Sequence, residues 1–275
     1  MAKVSVILPT YNGAATIEVA IKSVLSQTWR DLELIIVDDG STDGVGEVIK
    51  SFSKYDLRVK YLRNDNNIGL QASLNRGLRA ASGKFIARID DDDEWICSDK
   101  LSRQIDFLMH NSDHVLVGTG FIIVRGEGKE IGRCMPPLSD EEIRKVILHT
   151  NCFAHPSVVF MKEAINKVGE YWEGPAEDYD MWLKLGKIGK FANINCYCLK
   201  YMVRPNSASR LVTEEINLRV IELIKMYRYS YPNFWPSIIN GYWTLAKYRL
   251  LKFIPPGPRI ILTQINYYIK NRLTK

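Results

Sequence analysis

Lys84-Phe85-Ile86-Ala87-Arg88-Ile89-Asp90-Asp91-Asp92-Asp93 is the stretch that decides the fold. Its first six residues have the largely apolar character of a buried strand, and four carboxylates follow directly. Adjacent carboxylates repel one another, unless a divalent cation that prefers oxygen ligands lies among them. Open α/β sheets bind their ligands just beyond the carboxyl ends of their strands. We therefore expect a ligand site at Asp90–Asp93, and a solvated acidic turn is the alternative interpretation.

Three strand-and-helix units precede this stretch. Each begins with a short apolar run, and the runs lie at residues 4–8, 34–37 and 59–62. Apolar side chains at helical spacing follow each run, and the expected helices are Ile17 to Leu25, a helix capped by Thr42 or Asp43 that ends near Phe52, and Leu70 to Ala81. Alternating strands and helices at this spacing predict an α/β fold with a Rossmann-like, mostly parallel sheet flanked by helices.

Polar side chains gather where these strands end. Because the carboxyl ends of parallel strands lie at one edge of a sheet, these side chains should meet in one cleft of nucleotide size. They are Thr10, Tyr11, Asp38, Asp39, Asn67 and Asp90 to Asp93.

The pattern changes after Arg103. Ser139 and Glu142 have the spacing of a capping box at the start of a helix. The other expected elements are a helix to about residue 110, strands at 115–118 and 121–125, a hairpin through 126–128, a strand at 157–161 and a helix at 177–188.

The charge of the chain is uneven. The 275 residues carry a net charge of +6, and every charged residue after Glu222 is Lys or Arg. This basic tail also contains aromatic side chains, which is typical of contact with an anionic membrane surface. Packing of the same helices on the preceding part of the chain or on a second copy is the alternative. We do not expect nucleic acid binding, because no recognised binding motif accompanies the charge.

Five cysteines are present, an odd number without the paired spacing of a zinc site. Cys196 and Cys198 would point to opposite faces of a strand. We therefore interpret the cysteines as reduced, structural thiols. Since Met1-Ala2-Lys3 runs directly into a predicted strand, we expect no signal peptide and a cytoplasmic protein, peripheral to the membrane if residues 233–275 bind it.

Glu177 and Asp178 lie at the start of a predicted helix. Acidic residues there often serve only the helix dipole, which is worth roughly 0.3–1 kcal/mol. The alternative is a general base held rigidly at the edge of a cleft. A cation site and a separate base together would serve sugar transfer from a nucleotide diphosphate, because the cation offsets charge on the leaving group and the base activates the attacking hydroxyl.

The chain also resembles a known family. The motifs that carry the resemblance are Pro9-Thr10-Tyr11-Asn12, Val37-Asp38-Asp39-Gly40-Ser41-x-Asp43, Asn67-x-Gly69, Ala87-Arg88-x-Asp90-x-Asp92-Asp93 and Glu177-Asp178-Tyr179-Asp180-x-Trp182-Leu183. In this order, over roughly residues 3 to 210, they are similar to the motifs of the family 2 glycosyltransferases, which have the GT-A fold.

The resemblance implies an inverting transferase that uses a nucleotide-diphosphate sugar, most commonly a UDP-sugar, with Mn²⁺ or Mg²⁺. Asp178 matches the catalytic base, and Asp92 matches the metal ligand of the DxD motif. His155, Glu177 and Arg204 lie in regions that resemble the family's acceptor and diphosphate contacts. The positions that match its nucleotide-sugar-binding residues are Pro9, Thr10, Tyr11, Asp39, Asn67, Arg76, Asp90 and Asp91.

The resemblance also implies a division of the chain and a cellular role. Residues 1–210 would form the GT-A domain, with a nucleotide-binding half at 1–103 and an acceptor-side half at 104–210. Residues 211–275 would form a helical, basic and aromatic extension. The acceptor would be a carbohydrate or lipid-linked hydroxyl in cell-surface polysaccharide or glycolipid synthesis, and homo-oligomers are compatible with the sequence.

Two motifs of the family are absent or altered. No Gln-x-x-Arg-Trp motif of processive members follows the base, so transfer of one or a few sugars is expected. In the segment before Pro205-Asn206-Ser207, Met202 and Arg204 stand where many relatives have Arg and His. Two other functions remain as alternatives: a sugar-phosphate nucleotidyltransferase, which the loop after the first strand argues against, and a non-catalytic nucleotide-sugar-binding or scaffold protein.

Overall fold

A computed structural model describes residues 3–203 and 213–251 of the chain. Arg204, one of the expected contact residues, lies outside this described part, as do residues 252–275 of the expected membrane-binding segment. The strands are β1 Val4–Thr10, β2 Leu32–Asp38, β3 Val59–Arg63, β4 Phe85–Arg88, β5 Glu94–Trp95, β6 His114–Arg125, β7 Lys129–Cys134, β8 Val159–Met161 and β9 Lys190–Val203. The α-helices are α1 Ile17–Leu25, α2 Val45–Tyr55, α3 Leu70–Ala80, α4 Lys100–His110, α5 Asp140–Val146, α6 Lys162–Val168, α7 Glu177–Leu185, α8 Glu214–Met226 and α9 Phe234–Leu251.

The described strands form one sheet in the order β3-β2-β1-β4-β8-β6-β9-β5, and β7 pairs with β6. Strands β3, β2, β1 and β4 run parallel to one another, as the sequence predicts, whereas β8 pairs with β4 in the antiparallel direction. Side chains alternate between the two faces of each strand, so β1 buries Ile7 in one apolar core and Leu8 in the other. Helices cover both faces, and the polar ends of the parallel strands are left at one edge.

The second half of the sheet differs from the prediction. β6 is one continuous strand rather than two pieces, and it pairs in parallel with β9, which the sequence analysis did not predict. The interior of β9 mixes polar and apolar residues, and its register against β6 shifts between Thr119 and Phe121. These irregularities hide the two-residue alternation by which strands are recognised. Helix α6 was also not predicted.

Two expectations about local structure are wrong. Helix α2 begins after Gly44, which has a φ of +88°, although the Asp43 side chain does accept a hydrogen bond from the Val45 amide at 3.1 Å. Cys196 and Cys198 are joined by a disulfide instead of being free thiols on opposite faces. The shifted register of β9 breaks the normal alternation of side chains, which brings the two sulfur atoms to the same side. The capping box of Ser139 and Glu142 is confirmed.

Helices α8 and α9 pack against each other at the end of the described chain. Ile221 and Ile224 of α8 contact Ile238 and Leu245 of α9. A Cβ atom at Gly241 would lie 3.0 Å from Ile221, so the glycine allows the two helices to approach closely. No helix in the described part of the chain has the length and apolar character needed to cross a bilayer.

Candidate active site

Asp39 joins the end of β2 to the loop that follows β3. Its carboxylate accepts hydrogen bonds from Asn64 Nδ2 at 2.7 Å and from the amides of Ile68 and Gly69, each at 2.9 Å. Arg76 of α3 donates in turn to the side-chain oxygen of Asn64. Three residues that the sequence assigned to nucleotide binding, Asp39, Asn67 and Arg76, therefore lie in or beside one hydrogen-bonded loop. The charge of Asp39 orders this loop, and Asn67 is exposed on it.

The end of β1 lies beside the acidic loop at Asp90–Asp93. Pro9 and Thr10 are buried, whereas half of Tyr11 is exposed. Thr10 Oγ1 donates a hydrogen bond to Asp91 Oδ2 at 2.5 Å. A Cβ atom at Gly13 would lie only 2.1 Å from the same carboxylate oxygen, so this position requires glycine. The two segments are packed together as the strand order predicts.

The carboxylates of the acidic loop have different partners. Asp90 forms an ion pair with the buried guanidinium of Arg88, in which Nη1 lies 2.7 Å from Oδ2. Asp93 is buried and accepts a hydrogen bond from the Met202 amide of β9 at 2.8 Å. Its Oδ2 has no hydrogen-bond partner among the described residues. Burial, together with the charges of Asp90 and Asp92, raises the pKa of Asp93 well above its usual value.

The acidic loop fits a cation site that is completed by phosphate oxygens and water better than one whose ligands all come from the protein. Within the described residues, no three carboxylate or histidine groups bring their ligand atoms within 4.8 Å of one another. Mg²⁺ and related ions commonly bind one or two carboxylates and complete their coordination with phosphate oxygens and water. Asp92, which is half-buried in this loop, has a suitable carboxylate, whereas Asp90 is already paired with Arg88.

Glu177 and Asp178 begin helix α7 from a strained turn. Ala176, directly before them, has a left-handed φ of 58°. Asn151 Nδ2 donates to Asp178 Oδ2 at 2.8 Å, and the Tyr179 amide donates to Asp178 Oδ1 at 2.7 Å. These two bonds fix the orientation of the Asp178 carboxylate.

Burial raises the pKa of both acids. The pKa of Glu177 rises to about 7, because the carboxyl is desolvated and lies beside the charge of Asp178. The pKa of Asp178 is raised by burial and is partly restored by its hydrogen bonds to Tyr179 and Asn151. Arg88 lowers both, so one buried cation acts electrostatically on the acid pair while it forms an ion pair with Asp90.

His155 is buried in the wall behind this acid pair. Its Nε2 lies 2.9 Å from the Tyr171 hydroxyl, its Nδ1 lies 4.0 Å from Glu177 Oε1, and its ring packs edge-on against Trp182. Burial holds the pKa of His155 well below its usual value, and Arg88 contributes to the shift. His155 is therefore a neutral group that contacts Glu177 from the protein side.

Arg88 and Asn151 are site residues for which the sequence alone predicted no role. Arg88 could have been found from its position inside an otherwise apolar strand, because a buried cation needs a partner. Asn151 carries no such signal, since it reaches Asp178 only through the folding of a segment 27 residues away in the chain.

Comparison with known proteins identifies the family. The family model described as Glycosyl transferase family 2 matches residues 5–169. This chain belongs to glycosyl transferase family 2. It is 34% identical over 208 residues to the Escherichia coli UDP-Glc:alpha-D-GlcNAc-diphosphoundecaprenol beta-1,3-glucosyltransferase WfgD, covering 75% of this chain and 79% of WfgD. It is 31% identical over 279 residues to EpsE of Bacillus subtilis (strain 168), covering 98% of this chain and 94% of EpsE.

Solved structures show the same fold. TarS 1-349 of S. aureus in complex with UDP-GlcNAc matches 81% of this family 2 chain and 66% of its own chain, with a TM-score of 0.65 and 20% identity. The mannosyltransferase PcManGT of Pyrobaculum calidifontis, in complex with GDP-Man and Mn²⁺, matches 98% of this chain and 80% of its own, with a TM-score of 0.63 and 19% identity. The chain is thus an α/β glycosyltransferase with the expected GT-A fold.

Proposed function

We propose that this glycosyltransferase moves a sugar from a UDP-sugar to an acceptor hydroxyl, with inversion at the anomeric carbon. The observation that carries the proposal is the pair of acidic centres, the loop at Asp90–Asp93 and the pair Glu177–Asp178, with the Arg88 guanidinium paired to the first and acting electrostatically on the second. One centre suits a cation with a diphosphate, and the other suits a proton.

The donor would occupy the edge of the sheet between β1, β2 and the acidic loop. Asp39 and the loop that it orders would bind the nucleobase, and the exposed ring of Tyr11 would lie against the base or ribose. Asp92, together with diphosphate oxygens, would hold Mn²⁺ or Mg²⁺, which stabilises negative charge on the leaving diphosphate when bound. The remaining donor residues in this proposal are Pro9, Thr10, Asn67, Arg76, Asp90 and Asp91.

Asp178 would act as the general base. Its Oδ2 is oriented by Asn151 and its Oδ1 by the Tyr179 amide, so it can take the proton of the acceptor hydroxyl in a fixed direction. The hydroxyl oxygen then attacks the anomeric carbon as the bond to the diphosphate breaks. Glu177 and His155 would influence the proton affinity of Asp178 from behind. The positively charged side chain of Arg204 would contact the diphosphate.

The acceptor would be a carbohydrate on a lipid carrier. WfgD, by its name, acts on a GlcNAc-diphosphoundecaprenol. Helix α9 exposes Trp235, Ile239, Tyr242 and Trp243, and Lys247 lies beside Trp243. Aromatic rings with adjacent cations suit the headgroup level of a membrane, so we place α9 at the surface of an anionic bilayer. The divisions at residues 103 and 210 are part of the same proposal.

Thermal unfolding with UDP, GDP and dTDP, each with and without Mn²⁺, tests the donor site. A ligand bound only to the folded protein stabilises it by about 2.7 kcal/mol at a hundredfold excess over its Kd. We expect a Mn²⁺-dependent rise in Tm for UDP alone. A rise with GDP or dTDP instead would change the donor, and no rise with any of them would argue against a nucleotide-diphosphate donor at this site.

A further inference from the structure

Three sulfur atoms lie together on the side of β9 that faces the end of β5. Cys196 and Cys198 form a disulfide, and the Cys97 thiol lies 3.9 Å from Cys196 Sγ. The sulfur atoms of all three cysteines lie within 4.8 Å of one another. Cys97 and Cys196 are partly exposed, whereas Cys198 is buried. We call these three residues the cysteine trio.

Backbone contacts hold the trio in place. The Ile96 amide donates to the Cys198 carbonyl at 3.0 Å, and the Cys97 thiol donates to the Tyr197 carbonyl at 3.4 Å. Cys97 therefore approaches the disulfide from the Cys196 side. The closeness of the three sulfur atoms does not depend on a mobile side chain reaching across solvent.

A fully buried lysine side chain lies beside the trio. Lys100 is fully buried, its ammonium lies 3.9 Å from the centre of the Trp95 ring, and it donates to Gln104 Oε1 at 2.8 Å. Among the described residues, no carboxylate forms an ion pair with it. Burial lowers the pKa of the Lys100 ammonium well below its usual value, and the negative charge of a Cys97 thiolate would oppose this shift.

We propose that the trio is a thiol–disulfide exchange site, in which the disulfide moves between Cys196–Cys198 and Cys97–Cys196. Cys97 first loses its proton, and its thiolate attacks Cys196 Sγ. The Cys97–Cys196 bond forms as the Cys196–Cys198 bond breaks, and the Cys198 sulfur leaves as a thiolate that takes up one proton. One disulfide and one thiol are present before and after, so no oxidant or reductant is consumed.

The exchange would alter how the segment after the acidic loop is attached to strand β9. Cys97 follows the short strand β5, which begins directly after Asp93, and β5 pairs with β9. In the Cys196–Cys198 state this pairing is held only by non-covalent contacts. In the Cys97–Cys196 state a covalent bond joins the two segments across 99 residues of chain. The trio is thus a clamp on the segment that follows the acidic loop, and disulfide exchange closes or opens it.

The pH dependence follows from the groups around Cys97. Burial raises the pKa of the Cys97 thiol, the charge of Asp99 raises it further, and Arg103 and Lys100 oppose this rise. Since only the thiolate attacks a disulfide, exchange should accelerate as the pH rises through the Cys97 pKa. Burial lowers the pKa of Lys100 well below its usual value, so Arg103 is the opposing cation that keeps its charge as the pH rises. Arg103→Met removes this cation, so its exchange profile should move to higher pH.

Peptide mapping of the full-length protein tests the exchange. The protein is incubated between about pH 6 and about pH 9 in a buffer of a reduced and oxidised small thiol. It is then quenched with acid, alkylated with N-ethylmaleimide and cut with trypsin. Cleavage after Arg88, Lys100, Lys190 and Lys200 yields one peptide with Cys97 and another with both Cys196 and Cys198. The Cys196–Cys198 state gives an internal disulfide, and the exchanged state gives a cross-linked peptide pair.

We expect both products, with the cross-linked pair forming faster at higher pH. Cys97→Ser should leave only the internal disulfide, Cys196→Ser should remove both products, and Cys134→Ser, outside the trio, should change neither. An internal disulfide alone, with Cys97 always alkylated, would overturn the proposal. So would protection of all three thiols by Zn²⁺ without either disulfide, because the trio would then be a metal site.

Discussion

The acidic loop at Asp90–Asp93 and the acid pair Glu177–Asp178 both consist of carboxylates, but different kinds of groups contact them. In the loop, Asp90 is paired with the Arg88 guanidinium, and Asp91 accepts a hydrogen bond from Thr10. In the acid pair, the hydrogen-bond donors among the described residues are the amides of Gln71, Asn151 and Tyr179. The His155 ring, which burial keeps neutral, lies 4.0 Å from Glu177.

This difference in contacting groups suits the two centres to different tasks, binding a cation and accepting a proton. An opposite charge close to a carboxylate stabilises its ionised form, whereas burial among neutral groups raises its pKa. Asp90–Asp92 of the loop therefore suit attraction of a cation, whereas the buried Asp93 shares the raised pKa of the acid pair. Glu177–Asp178 suits acceptance of a proton near neutral pH. Four variants test whether the two centres have these separate properties.

Asp178→Asn should have the largest effect. The amide keeps the shape of the side chain but cannot accept the proton of the acceptor, so we expect kcat to fall about 10²–10⁴-fold. Stabilisation of the fold by UDP and Mn²⁺ should persist, because the acidic loop is untouched. Steady-state kinetics and thermal unfolding measure the two effects. Glu173→Gln, at an exposed position of the same segment, is the control. Wild-type turnover in Asp178→Asn would exclude Asp178 as the base.

Arg88→Met should affect both centres. Removal of one partner from a buried ion pair typically destabilises a protein by about 3–5 kcal/mol. The pKa values of Glu177 and Asp178 should also rise further, since Arg88 lowers both. Urea unfolding gives the stability, and the pH profile of kcat gives the second effect.

Arg103→Met is the matched control for Arg88→Met. It removes an exposed pair with Asp99 and should cost no more than about 1 kcal/mol. Equal stabilities of the two variants would show that Arg88 does not link the centres.

The sequence predicted the acidic loop more completely than it predicted the acid pair. Strands β1, β2 and β4 are short apolar runs that end in carboxylates or turn residues, so their place in the sheet follows from local patterns. The ion pair of Arg88 with Asp90 lies within the same segment, two residues apart. The position of this half of the site is therefore encoded locally.

The acid pair depends on contacts that the sequence does not display. Asp178 was recognised by family resemblance, but its orientation comes from Asn151, and its altered pKa comes from burial. The irregular register of β9 likewise arises from pairing with β6, which lies about 75 residues earlier in the chain. Long-range packing of this kind leaves no periodic signal in the chain.

Gly13→Ala tests whether the acidic loop needs its close contact with β1. The new Cβ would lie 2.1 Å from Asp91 Oδ2 and 2.5 Å from Thr10 Oγ1, so one of the two segments must move. We expect a loss of about 1–3 kcal/mol in the free energy of unfolding, together with a smaller rise in Tm on addition of UDP and Mn²⁺. Gly132→Ala, whose Cβ would meet only Ile123 at 3.9 Å, is the control. Identical behaviour of the two variants would show that the contact is dispensable.

Glu177→Gln should give the smallest effect, and its sign follows from the raised pKa. Between a pKa of about 4.5 in the unfolded chain and about 7 in the folded protein, the folded state keeps a proton that the unfolded state has released. The free energy of unfolding of the wild-type protein should therefore fall as the pH rises through this window. Because Glu177 is partly exposed and shares its proton affinity with Asp178, we expect a fall of about 1–2 kcal/mol. Glu177→Gln should lose this fall in urea unfolding at the two ends of the window, whereas Glu127→Gln on the exposed β6–β7 turn should keep it. If the free energy of unfolding of Glu177→Gln fell by the same amount, the bound proton would lie on another group. The acid pair would then differ from the acidic loop in its geometry but not in proton binding by Glu177.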